Sequence, residues 1–180
     1  MNETKKSDFY PEMARPFIVL VVICLIAAAL LGFVNNLTAP IIEANALAVA
    51  EQTRREVLPE ATGFESIPVS DELAAKGVTG IYKDEGGSGY VVSAASKGYG
   101  GDVAVTAGFD NDGAITNIKV DVSTETKGVG SKLGDQTYAD KFIGLTDNAD
   151  NVELRTGATF TSTAYRTAVN AAFDAVNSVK

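Results

Sequence analysis

The stretch RTGATFTSTAYRTAVNAAFDAV, residues 155–176, begins with small and hydroxyl side chains and continues as an amphipathic helix pattern. Apolar side chains recur at helical spacing from Tyr165 through Val169 and Phe173 to Val176, while polar side chains occupy the opposite face. This spacing predicts a long helix near the C-terminus with one buried face. The hydroxyls precede it, at a position where free backbone N–H groups and the helix dipole favour a phosphate.

The hydroxyl cluster also has a simpler interpretation. Ser and Thr are frequent N-cap residues because their side-chain oxygens accept hydrogen bonds from the first backbone N–H groups of a helix. The cluster contains Thr159, Thr161, Ser162 and Thr163, and it is compatible with capping alone. Spacing by itself does not separate a cap from a phosphate site.

Towards the N-terminus, an uncharged run of eighteen residues, FIVLVVICLIAAALLGFV, occupies positions 17–34. As a helix it is ~27 Å long, close to the ~30 Å hydrocarbon thickness of a bilayer, and predicts a single transmembrane helix. A cleaved signal peptide is the alternative, but the run is longer than a typical signal sequence and no A-x-A site follows. Because Lys5, Lys6 and Arg15 precede the run, the positive-inside rule places residues 1–16 in the cytoplasm and the larger remainder outside.

Positions 35–59 predict a separate stalk helix, with Thr38 as its N-cap and Pro40 in its first turn. Residues 60–180 predict one α+β domain. Positions 59–88 are interrupted by glycine and proline and give no clear strand pattern. Apolar runs or alternation at 90–95, 103–109 and 118–122, with a turn at 110–113, predict strands, and 135–142 predicts a short helix. We expect a twisted antiparallel sheet with helices packed on one side.

Composition excludes several kinds of chemistry. The 180 residues include one cysteine, Cys24, and no histidine, so we expect no iron–sulfur cluster, Cys/His zinc site, internal disulfide or histidine base. A formal net charge of -8 speaks against a nucleic-acid partner. GVGSK at 128–132 lacks the Walker spacing, and DNDG at 110–113 lacks the distal Glu of an EF-hand. We therefore expect no nucleotide hydrolysis, no metal site and no catalytic residue.

The segment TGAT at 156–159, followed by x-T-S and a helix, resembles the flavinylation motif of FMN-binding domains in ion-pumping respiratory complexes. These domains occur in the G subunit of the Rnf complex and in the C subunit of the sodium-pumping NADH:quinone reductase, and the short chain favours the former. Two further segments match the family pattern in the same order, KGYGGDV at 97–103 and ETKGVGSKLGD at 125–135. In the second, Lys127 and Val129 replace the proline and leucine of the family.

The resemblance implies that Thr159 is esterified to the phosphate of FMN, with Thr156, Gly157 and Ala158 completing the motif. It also implies that Val129 packs on the flavin ring and that glycines give the backbone room for it. The remaining residues that it implies for the cofactor site are Tyr99, Glu125, Thr126, Gly128, Gly130, Lys132, Thr161 and Ser162. Among them, Lys132 would meet a phosphate or a polar flavin edge.

The resemblance further implies an electron-transfer subunit of a membrane-bound, ion-translocating oxidoreductase that works between ferredoxin and NAD. Such a translocase subunit has no independent catalytic activity. Its partners are the other membrane and peripheral subunits of the complex, and a flavin transferase that produces the covalent, phosphate-linked flavoprotein. Two alternatives stay open: a stand-alone membrane-anchored flavoprotein for extracytoplasmic electron transfer, and a flavin-free anchored binding module.

Overall fold

The computed structural model describes residues 9–180, with side-chain environments from Ala14 onward. The chain divides into a first unit that ends at Val49 and a second unit, Ala50–Lys180. The division at Ala50 differs from the predicted domain start at residue 60. The first half of the predicted cytoplasmic segment, residues 1–8 with Lys5 and Lys6, lies outside the described residues.

Helix α1 spans Phe9–Val57 without interruption. It is long and apolar enough to cross a membrane, and its apolar side chains between residues 17 and 34 are exposed. The predicted helix start at Thr38 is wrong, because the Thr38 hydroxyl donates to the carbonyl of Val34 at 2.9 Å, and Pro40 lies inside the helix. A threonine that bonds back within a helix has the same sequence pattern as a capping threonine, so the pattern misplaced the boundary.

The second unit contains a five-stranded sheet in which every neighbouring pair is antiparallel. Its strands follow chain order and are β1 (Phe64–Ile67), β2 (Val78–Asp84), β3 (Tyr90–Lys97), β4 (Asp102–Phe109) and β5 (Ile115–Asp121). Strands β3 to β5 match the sequence prediction, whereas β1 and β2 were missed. The α+β class is confirmed.

Helix α4, Thr159–Val179, covers one face of the sheet with the apolar side chains that the periodicity predicted. Phe173 contacts Phe109 edge to face, with ring centroids 5.3 Å apart. Tyr165 stacks on Phe142, with centroids 4.6 Å apart. The short elements are α2 (Asp71–Ala75), α3 (Gln136–Ala139) and 3₁₀ turns at Gly130–Gly134 and Asp140–Phe142. The predicted helix at 135–142 is therefore confirmed as α3 and the turn that follows it.

The other face of the sheet receives the last turns of α1. Val57 and Leu58 are buried against Val91, and the Thr116 hydroxyl donates to the carbonyl of Val57 at 2.8 Å. The Arg54 guanidinium lies 4.2 Å from the centre of the Tyr82 ring, a cation–π contact. These contacts explain why residues 50–57 belong to the second unit, although the sequence predicted them as stalk.

Candidate cofactor-binding site

Three separate segments meet around the carboxylate of Glu125. They are the hairpin loop 98–101 between β3 and β4, the loop 125–130 after β5, and the first turn of α4. Glu125 Oε1 accepts hydrogen bonds from the backbone N–H groups of Tyr99 at 2.9 Å and Gly100 at 3.1 Å. Its Oε2 accepts one from the Thr161 hydroxyl at 2.9 Å. Because the side chain is only 5% exposed, these three donors fix the relative positions of the segments.

Glycines make this arrangement possible by leaving room for the carboxylate. A Cβ at Gly130 would lie 2.6 Å from Glu125 Oε2, and one at Gly98 would collide with Oε1. Both positions therefore need glycine for a steric reason. The glycine-rich segments that the sequence singled out thus allow close packing around Glu125.

The three segments enclose a cavity of about 290 Å³. Nine residues predicted for the cofactor site line it, together with Phe160, which the sequence analysis missed. The lining consists of Tyr99, Glu125, Thr126, Val129, Gly130, Gly157, Ala158, Thr159, Phe160 and Thr161. We call this space the Glu125 cavity.

Exposed aromatic rings flank the Glu125 cavity. The Tyr99 and Phe160 side chains are 75% and 74% exposed, and their ring centroids are 6.3 Å apart with a tilt of 44°. Val129 adds a half-exposed aliphatic side chain. An apolar rim on this cavity suits a planar aromatic ligand. Phe160 had one detectable signal in the sequence, since it is a large apolar residue outside the buried stripe of α4.

The hydroxyls at the start of α4 differ sharply in their availability. Thr161 and Ser162 are buried, and their hydroxyls donate to Glu125 and to the carbonyl of Ala158, respectively. Thr159 is exposed, and its hydroxyl has no hydrogen-bond partner among the described residues. The N-cap is Ala158, which has no side-chain cap bond, so capping does not account for Thr159.

Four residues predicted for the site do not line the Glu125 cavity. Thr156 lines a different cavity, beside Arg155. Ser162 is fully buried and accepts a hydrogen bond from the backbone N–H of Arg155. Gly128 adopts a φ of +80° and donates its N–H to the Ser131 hydroxyl, which shapes the loop. Lys132 lies outside the cavity lining, and its backbone carbonyl accepts a hydrogen bond from the Arg155 guanidinium at 3.2 Å.

Comparison with known proteins agrees with this geometry. Residues 98–174 match the profile of the FMN-binding domain family. The G subunit of the Na⁺-translocating ferredoxin:NAD⁺ oxidoreductase complex of Acetobacterium woodii is 32% identical, over 85% of this chain and 86% of that protein. The chain belongs to the G-subunit family of Rnf-type complexes.

Two more G subunits support this membership. That of the ion-translocating oxidoreductase complex of Methanosarcina acetivorans is 29% identical over 92% of this chain and 95% of its own length. That of the proton-translocating ferredoxin:NAD⁺ oxidoreductase complex of Clostridium ljungdahlii is 25% identical over 87% of this chain and 88% of its own. The family resemblance drawn from the sequence is confirmed. Among the described residues of this chain, α1 is the single helix long and apolar enough to span a membrane.

Proposed function

We propose that this chain is the electron-transfer subunit of an Rnf-type ion-translocating complex and holds FMN through a phosphoester on Thr159. The observation that supports the attachment point is the contrast among neighbouring hydroxyls. Thr159 is exposed at the edge of the Glu125 cavity with no hydrogen-bond partner among the described residues, whereas Thr161 and Ser162 are buried and hydrogen-bonded. A nucleophilic hydroxyl must be accessible to react, and Thr159 meets that requirement.

The residues present fit an FMN group. Exposed rings of Tyr99 and Phe160, with Val129, offer an apolar surface for the isoalloxazine. Gly157, where an added Cβ would meet open space, leaves the backbone accessible two residues before Thr159. When bound, FMN supplies one- and two-electron redox chemistry, and the protein supplies position and electrostatics. The Glu125 carboxylate keeps the loops that line the cavity in place through its three hydrogen bonds.

Attachment would transfer the FMN phosphoryl group from FAD to the Thr159 hydroxyl. The Thr159 hydroxyl oxygen forms a bond to the phosphorus on the FMN side of FAD, the pyrophosphate bond breaks, and AMP leaves. The hydroxyl proton passes to a base of the flavin transferase. No electrons are exchanged in this step, and the chain needs no histidine or other base of its own.

The partners follow from the family. The relatives are named as subunits of ion-translocating complexes, and two are named as Na⁺- or proton-translocating ferredoxin:NAD⁺ oxidoreductases. We propose that this chain likewise works only with other subunits, as a redox component without turnover of its own. Its second unit would face the outside of the membrane, as the basic N-terminal residues predict.

Two alternative functions predict different results for flavin binding and for co-purification. A stand-alone flavoprotein would bind flavin but would not co-purify with integral membrane subunits. A flavin-free binding module would remain colourless after exposure to a flavin transferase. The availability of Thr159 and membership in a family of complex subunits favour the proposed function over both.

The test is co-expression of the full chain with a flavin transferase, followed by a denaturing gel viewed under ultraviolet light. We expect a fluorescent band for the wild type and for Thr163→Ala, an exposed hydroxyl four residues further along the same helix. Thr159→Ala should lose all fluorescence, and Thr159→Ser should keep it because serine also offers a hydroxyl. Equal fluorescence in Thr159→Ala and Thr163→Ala would overturn the assignment.

A further inference from the structure

Thr159 lines two cavities of opposite electrostatic character. Besides the Glu125 cavity, it lines a second space of about 300 Å³, which we call the Lys97 groove. The two share only Thr159 and Phe160. The Lys97 groove is lined by Ser96, Lys97, Thr159, Phe160, Thr163, Ala164 and Thr167. A group attached to Thr159 therefore has access to both spaces.

The two spaces differ in charge. The Glu125 cavity contains one carboxylate, and no lysine or arginine lines it. The Lys97 groove contains one lysine, and no aspartate or glutamate lines it. Lys97 is exposed, and its ammonium has no ion pair or hydrogen bond with any residue in the described part of the chain. Its positive charge is therefore available to a ligand.

Neighbouring cations are already engaged. Lys76 lines an adjoining space that also includes Lys97, but its ammonium lies 3.0 Å from Asp174 and 3.4 Å from Glu72. The Arg155 guanidinium donates to the carbonyl of Lys132, and neither residue lines a cavity with Thr159. Lys97 is thus the cation that shares a cavity with Thr159 among the described residues.

The backbone of Lys97 is held in place by the sheet and by the loop that follows it. Lys97 is the last residue of β3 and pairs with Asp102 across the hairpin. The next residues, Gly98 to Gly100, form the loop whose Tyr99 and Gly100 N–H groups are bound by Glu125. Glu125, in one cavity, therefore holds the loop that begins directly after Lys97, the cation of the other cavity.

We propose that the Lys97 ammonium binds the phosphodiester of FMN on Thr159, and that the phosphate lies on the Lys97 side while the flavin ring lies on the Glu125 side. This inference rests on the proposed function. A phosphodiester has one negative charge, which the Glu125 carboxylate repels and an unpaired ammonium attracts. The phosphate partner is then Lys97 and not Lys132, which the sequence had suggested.

The test is ³¹P NMR of the full chain, loaded with flavin and purified in detergent. We expect the phosphodiester resonance to shift in Lys97→Met, to shift less in Lys97→Arg, which keeps the charge, and to stay unchanged in the matched control Lys132→Met. We also expect Lys97→Met to slow flavin attachment by about two- to fivefold, the range that one exposed ion pair can account for. Because Lys97 is exposed, all variants should unfold at the wild-type temperature.

The results of the ³¹P NMR experiment separate the Lys97 contact from the covalent attachment. A wild-type ³¹P spectrum in Lys97→Met, or an equal shift in Lys132→Met, would overturn it while leaving the covalent flavin intact. A wild-type chain without any phosphodiester resonance would overturn the proposed function as well. A shift in Lys97→Met alone would support the assignment even if attachment kinetics were governed by transferase docking.

Discussion

At the scale of single residues, the Glu125 carboxylate connects the segments that line the candidate site. One buried carboxylate receives two backbone N–H groups from one loop and the Thr161 hydroxyl from α4. The family resemblance drawn from the sequence placed Glu125 in the cofactor site. The structure gives it a positioning role within the protein itself.

We predict that Glu125→Ala destabilises the folded chain by about 3 kcal/mol, because three donors to a charged acceptor lose their partner. Glu125→Gln should lose less, since the amide oxygen can still accept from the Tyr99 and Gly100 N–H groups. The amide NH₂ can donate to the Thr161 hydroxyl. Thr161→Val, the matched control, removes a single hydrogen bond and should cost about 1 kcal/mol. Chemical denaturation measures all three, and a Glu125→Ala chain as stable as the wild type would show that the carboxylate does not hold the loops.

Residue identities at the site were predictable only in part. TGAT and the two glycine-rich segments contain eight of the residues that line the Glu125 cavity, and short motifs of this kind can be read from local sequence. Phe160 was missed because helical periodicity selects the buried face of α4, and Phe160 is outside that face. Lys132 and Lys97 are both lysines beside glycine-rich loops, and only the fold shows that Lys97 shares a cavity with Thr159.

At the scale of elements, the hairpin of β2 and β3 depends on a second buried acid, Asp84. Its side chain is 1% exposed and accepts hydrogen bonds from the Ser88 hydroxyl at 2.7 Å and the Thr62 N–H at 2.8 Å. Burial by itself raises the pKa of Asp84. The hydrogen bonds from Ser88, Gly86 and Thr62 outweigh burial and hold the pKa well below its usual range.

A lowered folded-state pKa has a defined consequence for stability. The contribution of Asp84 is fully present above its unfolded pKa of about 4 and is lost as pH falls below that value towards the folded pKa. We predict that Asp84→Asn lowers the free energy of unfolding at pH 7 by about 2 kcal/mol and flattens its decline below pH ~4. Denaturation at several pH values tests this, with the exposed Asp112→Asn as control. Parallel pH profiles for Asp84→Asn and the wild type would contradict it.

Some elements were predictable and others were not, for physical reasons. Strands β3 to β5 and helix α4 bury regular apolar stripes, so periodicity located them. Strand β1 has four residues at the sheet edge, and β2 contains Gly80 next to an apolar pair, Ile81 and Tyr82, so neither shows clear alternation. The continuity of α1 through Thr38 and Pro40 was missed because capping and intrahelical bonding use the same residue types.

At the scale of the whole molecule, the chain combines one candidate membrane helix with an FMN-binding domain of the G-subunit family. The sequence predicts that the second unit faces outwards, because the basic residues Lys5, Lys6 and Arg15 precede the span. A covalent link would prevent loss of the cofactor from an outward-facing unit.

We predict that a cysteine introduced as Asp112→Cys, in a Cys24→Ala background, reacts with a membrane-impermeant maleimide on the outer face of intact membranes. Asp112 is exposed in a turn of the second unit. The matched control is Ser7→Cys, which should react only after the membrane is permeabilised. Labelling in the reverse order would show that the flavin-binding unit faces the cytoplasm.

Peptide mapping by mass spectrometry can show whether Thr159 carries FMN. Trypsin cleavage after Arg155 and Arg166 places every hydroxyl of the motif in one peptide, residues 156–166. In chain matured with a flavin transferase, we predict that this peptide has gained FMN with loss of water and that fragmentation assigns the group to Thr159. An unmodified peptide, or FMN on a different hydroxyl, would contradict attachment at Thr159.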